Sequence, residues 1–214
     1  MKKHIRNILV ALMTLSLLML AGCGGGSSET VEAPDASEAE TPAVETADPI
    51  GIHHAKIEIR DYGTVSVELD GDTAPITVQN FMDLANAGFY DGLTFHRIID
   101  GFMIQGGDPN GDGTGGSGKN IPGEFEANGY TNNIAHTKGV ISMARAQDPN
   151  SASSQFFIMV ADAPHLDGMY AAFGHVTDGQ DVVDKIAADA VPLDENGTMA
   201  AEDQPVIESV KIID

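Results

Sequence analysis

The run FHRIIDGFMIQGGD, residues 95–108, decides the fold. It sets one guanidinium, that of Arg97, beside an apolar patch and a glycine-terminated edge, a combination suited to a pocket. Its two apolar pieces, Phe95–Ile98 and Phe102–Gln105, read as short strands between glycine-rich loops. Upstream, Ala55–Arg60 and Thr64–Leu69 alternate apolar and polar residues around Asp61-Tyr62-Gly63, which predicts a β-hairpin. A helix follows: Thr73 is placed to cap it and Pro75 sits in its first turn. Val78, Phe81, Met82 and Ala85 form its apolar stripe, and Gly88 ends it. Downstream, Val140–Ala144, Gln155–Val160, Ala171–Val176 and Val206–Ile213 read as further strands, and Val182, Val183, Ile186 and Ala187 suit a second short helix. Many strands and two helices favour a mainly β chain closed into a barrel, which removes exposed edges. No repeat of 20–50 residues is present.

Taken with Ser142-Met143-Ala144, Ser154-Gln155-Phe156-Phe157, Leu166-Asp167-Gly168 and Phe173-Gly174, all in the same order, residues 95–108 resemble the cyclophilin family of peptidyl-prolyl isomerases. The resemblance runs from about Ala55 to Asp214. It implies a closed eight-stranded antiparallel β-barrel capped by two α-helices, with the active groove on the outer face. The activity it implies is cis/trans isomerisation of X-Pro bonds in unfolded or flexible polypeptides, without cofactor or metal.

No bond is broken in such a reaction; resonance between the amide nitrogen and its carbonyl must be weakened, against a barrier of about 18–20 kcal/mol. Useful tools are a donor near the prolyl nitrogen, a pocket for the ring and a polar clamp on a flanking carbonyl. Arg97 is the natural donor, always charged and carrying a planar fork. Carried over by resemblance, Arg97, Phe102 and Gln105 are the catalytic set, and Phe102, Met103, Phe157 and Leu166 form the proline pocket. Gln105 and Gln155 orient Arg97 and the substrate backbone, and the main chain of Ala144, Arg145 and Ala146 holds the residue before proline. Three positions depart from the family pattern. His165 stands where many members carry tryptophan, Arg145 where many have asparagine, and Tyr170 where many have histidine. The first weakens cyclosporin binding; Tyr170 is expected to line the groove, its hydroxyl still a donor. Two rivals stay open: a proline-peptide binding module without turnover, and an acidic surface protein with a degenerate site.

The N-terminus reads as an address. Lys2, Lys3 and Arg6 precede the apolar run Ile8–Leu20, as in a secretory signal. Leu20-Ala21-Gly22-Cys23 resembles a bacterial lipobox, which makes Cys23, the sole cysteine, the lipidation site and rules out an internal disulfide. The expected organisation is a signal at 1–22, a lipidated and acidic tether at 23–52 and an isomerase domain at 53–214, held as a monomer on the outer side of the cell membrane. From Gly24 to Pro49 there are seven acidic residues, no basic ones and no aromatics. Such a segment cannot offset its ordering entropy by burial, and flexible-chain scaling gives it a span of roughly 30 Å. A formal net charge of -21 argues against nucleic acid, which demands basic phosphate contacts, and against adhesion of the domain surface to anionic lipid.

Other motifs carry little. Gly113–Asn120 nearly spells a phosphate-binding loop, but Asn120 replaces the hydroxyl residue and Pro122 and Gly123 spoil the helix. Asp108, Asn110, Asp112 and Gly113 imitate the start of a calcium loop whose twelfth position is Lys119. His53, His54, His96, His136 and His165 lack metal spacing. Ser154 with His136 lacks a nucleophile elbow.

Overall fold

The computed structural model describes residues 47, 48 and 50–214; the signal, Cys23 and most of the tether lie outside the described residues. Among the described residues there are eight strands: β1 (Ile52–Ile59), β2 (Gly63–Asp70), β3 (Thr94–Ile99), β4 (Met103–Asp108), β5 (Val140–Met143), β6 (Phe156–Met159), β7 (Ala172–Asp178) and β8 (Ile207–Ile212). Two α-helices join them, α1 (Pro75–Asn86) and α2 (Gln180–Asp189). The strands form one antiparallel sheet in the order β3-β4-β6-β5-β7-β2-β1-β8.

The expected hairpin is β1–β2, turned at Asp61, whose φ of 63° an aspartate tolerates. On these strands Ala55, Ile57, Ile59, Val65, Val67 and Leu69 alternate inward. Over them pack Val78, Phe81 and Ala85 of α1 and Val183, Ile186 and Ala187 of α2, in one buried cluster. Phe81 is the hinge of that packing, with Tyr90, Phe156 and Phe173 at centroid distances of 5.2, 5.5 and 5.4 Å. The Phe156 ring meets Phe81 edge-on and the other two are tilted, all at centroid separations favourable for aromatic rings.

The mainly β, eight-stranded antiparallel barrel with two helices is as expected, though curled open rather than fully closed. Its end strands β3 and β8 meet at the single bridge Thr94↔Val206, flanked by Phe95 N–H to Pro205 O (2.9 Å) and Ile207 N–H to Leu93 O (2.8 Å). Pro205 has no N–H to return, which keeps that seam short. Two finer expectations need correction. Phe102 is not in a strand: the ladder closes at Ile99↔Met103, so Phe102 belongs to the turn with Gly101, whose φ is 72°. Thr73 does not cap α1. Its amide and hydroxyl bond back to the Asp70 carboxylate, and Ala74 holds the cap position without a side-chain bond. The first-turn amides of Ile76 and Thr77 donate instead to the carboxylate of Glu124, at 3.1 and 2.7 Å, across 48 and 47 residues of sequence.

Candidate active site

Strand β6 explains why the site lies outside the barrel. All four of its residues are buried, yet Phe156 and Ile158 belong to the main core while Phe157 and Met159 belong to a second, smaller apolar cluster. Neighbouring residues on a strand face opposite sides, so β6 is covered on both. The second cluster holds Met103, Val140, Phe157, Met159, Ala163, Leu166 and Ala172, with Phe102, Ala144 and Tyr170 packed against it. It floors a cavity of about 270 Å³ walled by Arg97, Phe102, Met103, Gln105, Ala144, Arg145, Phe157, Leu166 and Tyr170. A second cavity of about 210 Å³ shares Gln105, Ala144 and Arg145 with the first and adds Gly113, Thr114, Gly115, Ala146, Ser151, Ser153 and Gln155. Thus the residues singled out in the sequence converge on one groove. His165 alone lines neither cavity; it is exposed and stacks on Phe102 at 5.8 Å.

A string of polar contacts runs along the groove. Arg97 on β3 faces Gln105 on β4 in direct register, and its Nη1 donates to Gln105 Oε1 at 3.3 Å and lies 3.7 Å from Met103 Sδ. Gln105 Nε2 donates to Gln155 Oε1 at 2.9 Å, and Gln155 Nε2 donates to the carbonyls of Gly113 (3.1 Å) and Gly115 (2.8 Å). Gly115 must lack a side chain here, since a Cβ would sit 2.0 Å from Asp108 Oδ1. On its other side Arg97 Nε donates to Asn196 O at 2.7 Å, which leaves Nη2 with no hydrogen bond among the described residues. Burial pushes the guanidinium pKa down, with Tyr170 and Asp194 acting the other way; an arginine keeps its charge regardless.

The imitation motifs resolve into structure. Asp108 accepts from the amides of Asn110, Asp112 and Gly113 at 2.8, 3.2 and 2.6 Å, so its carboxylate is occupied by its own loop. No α-helix starts at the end of Gly113–Asn120, as a phosphate-binding loop would need. Among the described residues no group of three or more His, Cys, Asp or Glu side chains is placed to hold a metal. Ser154 is buried and donates to Gly107 O. His136 contacts a different serine: its Nδ1 lies 3.0 Å from Asp167 Oδ1 and its Nε2 3.1 Å from Ser142 Oγ. Ser142 and His136 are 0% and 1% exposed, which denies them a substrate, and the His136 ring instead stacks behind Phe157 at 6.1 Å.

Sequence reasoning missed Asn196, Glu124 and the Asp167–His136–Ser142 chain. Asn196-Gly197 is legible as a turn, but nothing local says that its carbonyl meets Arg97.

A curled antiparallel barrel carrying an apolar, ring-sized hollow on its outer face, with one guanidinium held at the rim, defines a protein that grips a peptide by an apolar side chain. The chain belongs to the cyclophilin type peptidyl-prolyl cis-trans isomerase family, whose pattern it matches over residues 54–214, and it is an isomerase. It is 50% identical over 121 residues to peptidyl-prolyl cis-trans isomerase B of Bacillus subtilis, covering 56% of this chain and 81% of that protein. A peptidyl-prolyl cis-trans isomerase-like 1 protein of Rhizopus delemar is 50% identical over 125 residues, or 58% and 74% of the two chains. A crystal structure of a Cryptosporidium parvum cyclophilin type isomerase in the presence of the dipeptide Ala-Pro superposes with a TM-score of 0.66 at 31% identity. It covers 75% of this chain and 99% of that one.

Proposed function

We propose that this isomerase acts on X-Pro bonds of exported polypeptides, as a monomer tethered through lipid on Cys23 to the outer side of the cell membrane. The observation that carries the catalytic part is the Arg97–Gln105–Gln155 string beside the apolar hollow. Phe102, Met103, Phe157 and Leu166 hold the proline ring. Arg97 brings a charged donor to the prolyl nitrogen as its lone pair leaves resonance with the carbonyl, and Gln105 and Asn196 O fix the fork. Gln155 and the main chain of Ala144–Ala146 hold the peptide on the side preceding proline. Positioned in this way, the donor strengthens its bond only as the amide twists, which is the condition for lowering a barrier rather than merely binding.

The extracytoplasmic part rests on sequence: the basic start, the apolar Ile8–Leu20 run and Leu20-Ala21-Gly22-Cys23. Among the described residues no helix is long and apolar enough to cross a membrane. The decisive experiment is exchange spectroscopy on an Ala-Pro peptide with the full chain, in which uncatalysed exchange takes tens to hundreds of seconds. Acceleration by the parent protein, and a fall on the order of 100- to 1000-fold for Arg97→Ala with much smaller loss of peptide binding, is the expected result. No acceleration would leave the binding-module reading standing. For the anchor, Cys23→Ala should move the protein out of the detergent phase; equal partitioning removes the lipoprotein reading.

A further inference from the structure

The groove is opposite in charge to the molecule that carries it. The chain holds 32 acidic residues against 11 basic ones. Yet the walls of the two cavities contain no Asp, Glu or Lys, and their only charged side chains are Arg97 and Arg145. Among the described residues neither arginine has a carboxylate within ion-pair distance.

Arg145 borders both cavities, and its surroundings fix it without neutralising it. Nε and Nη2 donate to Met169 O at 3.1 and 2.8 Å, and Nη1 donates to Ala146 O and Gln147 O at 2.9 and 3.3 Å. Its plane lies over the rings of Phe125 and Tyr170, 5.0 and 4.7 Å from their centroids. Carbonyls and aromatic faces orient a cation, but they leave its net charge in place. Four of the five guanidinium N–H groups are committed in this way, and one on Nη2 remains. A side chain held in one rotamer has already lost the entropy that usually weakens a surface ion pair.

We propose that Arg145 is a specificity-determining residue, and that it makes this enzyme prefer peptides with an acidic side chain on the N-terminal side of the proline. The inference rests on the proline-pocket reading above. With the ring in the hollow of Phe102, Phe157 and Leu166, the preceding backbone passes Ala144 into the second cavity, and Arg145 stands at that passage. The field of the whole molecule would select the reverse, because a net charge of -21 repels acidic peptides. Screening confines that field to about 8 Å at physiological salt, so at contact the local guanidinium wins.

The test compares kcat/KM for Glu-Ala-Pro-Phe, Gln-Ala-Pro-Phe and Lys-Ala-Pro-Phe with the full chain. Wild type should favour Glu over Gln by about two- to fivefold, the range of a partly exposed ion pair, with Lys slowest, and the spread should shrink at high salt. The Glu/Gln ratio should fall to one in Arg145→Gln, persist in part in Arg145→Lys and invert in Arg145→Glu. A merely structural Arg145 would change all three rates together and leave the ratio alone. Equal rates for the three peptides in wild type, or a Glu/Gln ratio that survives in Arg145→Gln, overturns the proposal while the isomerase reading stands. Acceleration of none of them removes that reading and this inference with it.

Discussion

Arg97 shows how much of one residue's role depends on neighbours far along the chain. Its partners Met103 and Gln105 lie within the same fourteen-residue run, so the strand register alone brings them together. Asn196, which holds Nε, is 99 residues away and comes from a loop with no chemical mark of its own. Since the planar fork is addressed on two sides, Arg97→Lys should keep the charge, lose the geometry and leave isomerisation between wild type and Arg97→Ala; exchange spectroscopy measures it, and a lysine variant as fast as wild type would make charge alone sufficient. His165 is legible in the same run-by-run way. It stacks on Phe102 at the exposed rim, offering less ring area than an indole and none of its fixed donor. His165→Trp should therefore tighten cyclosporin binding in a calorimetric titration, and unchanged affinity would show that the rim is not limiting.

Among the elements, β6 and α1 stand at opposite ends of legibility. FFIM reads as a buried strand from its composition, and the two-residue period assigns Phe157 and Met159 to one face and Phe156 and Ile158 to the other. That period cannot say which face is the interior and which the groove, since both are apolar. For α1 the local rule pointed to Thr73, and the fold satisfied the helix start through Glu124 instead. Asp70 lies close enough to capture Thr73 before the helix can use it. Glu124 is buried, and burial pushes its pKa up while its bonds to Thr77 and Ile76 pull it down. Glu124→Ala would strand two first-turn amides away from water. It should cost about 1–3 kcal/mol, measured by urea unfolding. Glu124→Gln, which keeps one acceptor oxygen, should cost less; equal losses would point to packing rather than to the cap.

At the scale of the whole molecule, two buried imidazoles set a pH dependence. Burial lowers the pKa of His96 and of His136, although the Asp108 charge acts against it at the first and the bond that His136 donates to the Asp167 carboxylate acts against it at the second. As pH falls below about 6.5, the unfolded chain takes up protons that the folded one refuses, so stability drops until the lowered folded-state values are passed. His53, raised by its bond to Asp214, works in the opposite sense but stands at the surface. Thermal unfolding should accordingly shift to lower temperature between pH 7 and 5, and His96→Leu should flatten that slope; an unaltered slope would remove His96 from the account. The same scale separates what the chain declares from what folding decides. Residues 95–108, the hairpin around Asp61-Tyr62-Gly63, the two helical stripes and the ordered motifs at 142–144, 154–157 and 166–168 were enough to set the architecture and most of the groove. Each of those signals is local: a period, a turn residue or a short spacing. The seam at Pro205, the cap from Glu124, the carbonyl of Asn196 and the uncompensated charge of Arg145 were decided only by tertiary structure. The physical reason is that each joins groups distant in sequence, whose meeting depends on how the sheet curls and not on any residue's own propensity.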